Sequence, residues 1–143
     1  MTTTTTTRPR PAIRFGLLQI VICALAVATA LVHLYLGVIT TVMVATQPAL
    51  VATLGGATML SIMAGLFYCS FLGYVALLVA QYLPVLHRFQ RLARWGLIAW
   101  TAGNILAYAA LAQGHIDAFG LADKAGEALL IVLLLIEDRR ARA

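Results

Sequence analysis

Long apolar runs alternate along this chain with short charged clusters, and the runs have the length of membrane helices. A hydrocarbon core about 30 Å thick is crossed by roughly 20 helical residues rising 1.5 Å each. Four stretches fit that length, at about 15–44, 59–83, 95–112 and 118–136. The first is interrupted only by Gln19, His33 and a few Thr, and the second and third carry no charge. The fourth reaches spanning length only if Asp123, Lys124 and Glu127 are counted within it, because its purely apolar part, 128–136, is too short alone. The pattern predicts an all-α protein, a four-helix transmembrane bundle formed by a single domain over 13–140. Residues 1–12, a Thr run closed by Arg8-Pro9-Arg10-Pro11, read as a disordered tail, and 141–143 as a short second one. Between the first two runs, Gln47-Pro48 and Gly55-Gly56 break any continuous helix, so that loop reads as a short helix or re-entrant turn in the outer interface.

The charges set the orientation. Arg and Lys in short flanking loops are retained on the cytoplasmic side. Arg8, Arg10 and Arg14 precede the first run, Arg88, Arg91 and Arg94 separate the second from the third, and Arg139, Arg140 and Arg142 follow the fourth. With four spans all three clusters fall on one side, so both termini are expected in the cytoplasm of a multi-pass protein of the cell membrane. Trp95 and Tyr82 then sit at inner ends, where amphipathic rings favour the headgroups. A competing reading takes 8–25 followed by Ala28-Thr29-Ala30 as a cleaved signal peptide, but the apolar run continues well past that site, further than such signals do.

Composition agrees. Hydrophobic residues are 62% of the 143 and charged residues 10%, against about 45–50% and about 25% in soluble domains. Ten basic residues outweigh five acidic ones for a net charge of +5. That excess is accounted for by topology, and no nucleic-acid-binding motif accompanies it. The inner segment 86–94 is basic enough to meet anionic headgroups, although its three Arg are what orientation alone requires.

In lipid, helices associate through small residues and a few hydrogen bonds. Ala24 and Ala28, Ala99, Gly103 and Ala107, and Ala122 and Gly126 have that spacing and predict packing faces. Asn104 reads as an interhelical hydrogen-bonder. Cys23 and Cys69, without a C-x-x-C spacing, read as packing residues rather than a redox or metal pair.

Ionisable groups at membrane depth are costly and therefore turn inward and find partners. The candidates are His33, Asp123, Lys124 and Glu127, with His115 and Asp117 of the preceding loop as additional ligands. Counted from Phe15 and from Glu137 as flush inner edges, His33 lies about 27 Å deep and Glu127 about 15 Å. Asp123, one turn outward from Glu127, matches His33 better, and Lys124 is expected to snorkel outward. One imidazole with carboxylates suits zinc, iron or manganese, and an imidazole alone suits a haem axial position. Paired-His metal spacing is missing, as are G-x-S-x-G and phosphate-cradling loops, so the sequence specifies no cofactor and argues against an enzyme.

Val32-His33-Leu34-Tyr35-Leu36-Gly37 and the segment opening with Asp123-Lys124-Ala125-Gly126-Glu127 resemble the V-H-L-x-x-G and D-K-x-x-[EQ] elements of an uncharacterised family of small four-helix membrane proteins, notably haloarchaeal. The resemblance covers about 13–140. It implies the same fold, draws attention to His33, Asp123, Lys124 and Glu127, and implies no activity.

Two functions are thus in view. The plentiful small-residue faces favour a structural or accessory membrane protein, acting through helix–helix contacts in a homo-oligomer or a larger membrane complex. The alternative is a proton-relay, transport or metal- or cofactor-binding protein built on the buried His, Asp and Glu.

Overall fold

The computed structural model describes residues 16–111 and 118–142. The tail 1–12, Arg14, the loop residues His115 and Asp117, and Ala143 lie outside the described residues. The protein is all-helical: α1 (Leu17–Thr46), a short α2 (Pro48–Thr53), α3 (Ala57–Tyr82), a 3₁₀ segment (Pro84–Phe89), α4 (Gln90–Leu111) and α5 (Ala118–Arg140). Breaks fall where the backbone chemistry requires. Pro48 opens α2, a position where its missing N–H costs nothing. Gly55 and Gly56 adopt φ of +103° and +89°, which side chains with a Cβ avoid, and so turn α2 into α3. Of the short helix or re-entrant turn expected between the first two runs, the structure shows a short helix. Pro84 ends α3 after an extended Leu83.

The four long helices close into a ring in which α1 packs on α3 and α5, and α4 packs on the same two. Their register is antiparallel at each step. Thr41 meets Tyr68 while Cys23 shares a cleft with Tyr82, Ser70 meets Asn104 while Gly96 faces Leu77, and Gly120 approaches Tyr108 while Asp138 meets Arg94. Close approach between α3 and α4 depends on Gly73, where a Cβ would stand only 2.4 Å from the Trp100 ring.

The inward stripe of α1 is Ile22, Ala26, Thr29, Ala30, His33, Gly37 and Thr40, stepping by three and four residues as one helical face does. Ile22, Ala26 and Ala30 join Tyr74, Leu97, Leu130 and Leu134 in the core. The small residues expected to make packing faces do not face the core of the bundle: Ala24, Ala28, Ala99, Gly103, Ala107 and Ala122 are exposed, and only Gly126 of that set is half-buried. Spacing alone carries no direction, and the small residues that face inward include Ala26, Ala30, Gly37, Ala64 and Ala93.

Exposure is inverted relative to a water-soluble protein. Leu31, Tyr35, Ile62, Leu72, Leu106 and Val132 face outward, whereas Gln81, Arg94, Glu127, Glu137 and Asp138 are buried. By length and composition, α1 and α3 are apolar enough to cross a membrane. Helices α4 and α5 are about 33 and 34 Å long, sufficient in length, but Arg91 and Arg94 open α4 and seven charged residues lie along α5. Much of that charge is turned inside and paired.

Candidate functional site

Two polar clusters occupy the interior, ten residues apart along α5. The first gathers around Glu127, whose side chain is fully buried. Tyr74 on α3 donates its hydroxyl to Oε1 at 2.9 Å, and Lys124, one turn earlier on α5, donates to Oε2 at 2.9 Å. Lys124 also pairs with Asp123 at 2.8 Å. Its side chain is only 13% exposed, so it turns inward rather than snorkelling out. Two neighbouring carboxylates in an apolar interior make that the favourable direction.

His33 approaches Glu127 Oε1 to 3.9 Å through Nε2. Its Nδ1 lies 2.9 Å from the Thr29 carbonyl. A carbonyl only accepts, so Nδ1 carries the proton, and in the neutral ring Nε2 presents a lone pair. The ring is tilted against Tyr74 at 5.7 Å between centroids and stands edge-on to Phe67 at 6.1 Å, which holds its plane.

All four expected residues thus come together, but Glu127 is nearer to His33 than the depth count allowed. Cys23 and Tyr82 line one cleft, and the Tyr82 hydroxyl reaches Glu137 at 3.3 Å. Glu137 is therefore level with Cys23, eight residues further along the chain than the residue the depth count paired it with. That eight-residue offset is about 12 Å, the discrepancy between the counted depths. Ten residues along α1 from Cys23 and ten back along α5 from Glu137 stand His33 and Glu127, side by side.

A nitrogen of His33 and one carboxylate oxygen each from Asp123 and Glu127 lie within 4.8 Å of one another, a spacing that can hold a metal ion. The Lys124 ammonium already bridges the two carboxylates, so the geometry gives a metal no preference. Beside the cluster opens a cavity of about 350 Å³. His33, Asp123, Lys124, Ser70 and Asn104 supply its polar lining, and Leu36, Leu66, Phe67 and Phe119 its apolar walls. Ser70 donates to Asn104 Oδ1 at 2.8 Å, the interhelical bond expected of Asn104. The buried hydroxyl of Tyr108, also in the lining, has no hydrogen-bond partner among the described residues.

The second cluster was not legible as a cluster. Arg94, expected only to fix orientation, is buried and joins α4 to α5: Nε lies 3.3 Å from Glu137 Oε2 and NH1 donates to Asp138 at 3.1 Å. Gln81 donates to Glu137 Oε2 at 2.7 Å, and Arg142 pairs with the other oxygen of Asp138. Burial pushes the Asp138 carboxyl up, but the hydrogen bonds from Arg94 and Arg142 outweigh it and hold the group below the usual carboxylate range. Cys23 and Cys69 are both free thiols, on different helices.

Comparison of the chain with protein-family models, with curated proteins and with solved structures returns no match.

Proposed function

We propose that the protein is a multi-pass protein of the cell membrane, four helices crossing it with both termini cytoplasmic, that binds a small amphipathic molecule in the outer half of the bundle. The observation that carries this reading is the cavity opening directly onto the buried His33, Asp123 and Lys124. A purely structural ion network gains nothing from adjoining empty space, because packing side chains against it would add dispersion contacts. A binding pocket needs apolar walls and a few convergent polar groups, the combination found here.

The chemistry of the lining orients the ligand. Its apolar body lies along Leu36, Leu66, Phe67 and Phe119, and its polar head meets the His33 Nε2 lone pair, the Lys124 ammonium and the unpaired Tyr108 hydroxyl. Two carboxylates against one ammonium leave one negative charge in excess when His33 is neutral. In a low-dielectric interior that charge is met by a proton on the cluster. The membrane part of the reading is supported by the outward Leu, Ile and Val side chains and by the inward charges of α4 and α5.

A native mass spectrum of protein released from nanodiscs tests the proposal. The wild-type protein should carry a small-molecule passenger. Ala107→Trp, which places a ring in the cavity from an exposed helix position, and His33→Gln should each lose it while remaining folded and monodisperse. A bare wild-type mass, or a passenger unaffected by both substitutions, contradicts it.

A second reading, the structural or accessory role, is favoured by one observation. Ala99, Gly103 and Ala107 form an exposed small-residue stripe on α4, where a second copy or a larger membrane complex can approach closely. On that reading, bulky substitution at Gly103 lowers oligomer size and leaves the passenger unchanged.

A further inference from the structure

We propose that the cleft between the 3₁₀ segment, the start of α4 and the end of α5 is a binding site for a phosphate-bearing anion. The cleft encloses about 320 Å³ and is lined by His87, Arg88, Arg91, Arg94, Asp138 and Arg142, with Gln90 and Ala141. Its guanidinium groups are not equally committed. Arg94 and Arg142 are engaged by Asp138, and Arg94 by Glu137 as well. Among the described residues Arg91 makes no ion pair or hydrogen bond, and Arg88 meets only the Phe89 ring, 4.6 Å from its centroid. Four guanidinium charges against the two carboxylates of Glu137 and Asp138 leave an excess of two. Orientation in a membrane requires positive charge near this end, but it does not require that charge to converge on one cleft.

Guanidinium forks match phosphate oxygens two at a time, and a phosphate mono- or diester supplies the two negative charges or fewer that the cleft lacks. The buried Arg94–Asp138 pair forms the floor and fixes the end of α5 against α4. Exposed Arg88 and Arg91 then stand on the open side, where an incoming phosphate replaces water. Two sources fit this chemistry, the headgroup of an anionic lipid and a free phosphate. The lipid source rests on the four-span reading, which sets the cleft at the level of the inner headgroups; the free-anion source does not.

The test is equilibrium binding to the full-length protein in zwitterionic nanodiscs or detergent, with phosphatidylglycerol, phosphatidylcholine and inorganic phosphate as separate probes. An Arg near an anionic surface contributes a factor of about 5 in affinity, so Arg88→Gln with Arg91→Gln should weaken binding roughly 30-fold. Both positions are exposed and outside the buried ion pairs, so the fold is retained. Arg139→Gln with Arg140→Gln removes the same charge from the same end, outside the cleft, and should change binding little. Saturable binding of phosphatidylglycerol, weakened only by the first pair and not seen with phosphatidylcholine, identifies a lipid headgroup. Saturable binding of inorganic phosphate with the same dependence, and no preference for phosphatidylglycerol, identifies a free anion. Equal losses in the two double variants, or no saturable binding of any probe, overturns the site.

Discussion

Arg94→Met is expected to destabilise the protein by about 3–5 kcal/mol, the usual cost of removing one partner from a buried ion pair. The loss reflects what remains behind. Among the described residues, Glu137 then stays buried with Gln81 and Tyr82 as its side-chain donors, and the Gln81 Oε1 atom already has no hydrogen-bond partner. On a domain of this size that is a fall in apparent melting temperature of roughly 10–15 °C. Arg88→Met and Arg91→Met remove the same charge from exposed positions and should lie within about 0.5 kcal/mol of wild type. Arg94→Lys should fall between, since an ammonium cannot fork to both Glu137 and Asp138. Thermal unfolding in one detergent, followed by circular dichroism, checks the series. If these Arg residues acted on orientation alone, the three Met variants would be equivalent.

The second large effect is at Glu127. Glu127→Ala removes the acceptor of the Tyr74 hydroxyl and one of two partners of Lys124. The expected cost is about 3 kcal/mol, at the low end for a broken buried pair because Asp123 still holds Lys124. Tyr74→Phe alone should cost about 1.5–3 kcal/mol, the range for hydrogen bonds to charged groups. The double variant should cost less than the sum, because once the carboxylate is gone the hydroxyl has lost its charged acceptor. A coupling of about 0.5–3 kcal/mol is expected from chemical or thermal unfolding of the four proteins. Additive losses would mean that Tyr74 and Glu127 act independently, contrary to their 2.9 Å contact.

His33, Asp123, Lys124 and Glu127 were legible in the sequence because an ionisable residue inside an apolar run is conspicuous and needs a partner. Their partner Tyr74 was not, since a Tyr in a span reads equally as packing. The offset between α1 and α5 was also beyond reach. Hydropathy marks where a helix lies but not how far it slides past its neighbour, and taking Phe15 and Glu137 as flush displaced His33 from Glu127 by about 12 Å. The Arg94–Glu137–Asp138 cluster was hidden for a related reason: charges at the ends of apolar runs look like orientation signals whether or not they meet. The inward stripe of α1 follows helical periodicity, whereas the small-residue spacing on α4 does not mark its core face, because an Ala-rich helix offers such spacing on several faces.

The proposed depths of the cavity and of the cleft follow from α4 and α5 crossing the bilayer with α1 and α3. Single cysteines in a chain with Cys23→Ser and Cys69→Ser, probed with a membrane-impermeant maleimide on intact cells, test this most directly. Ala52→Cys in α2 and Ala118→Cys at the first residue of α5 should label from outside, and His87→Cys only after permeabilisation. Labelling of Ala118→Cys solely after permeabilisation, alongside His87→Cys, would leave only α1 and α3 in the membrane and contradict the four-span account.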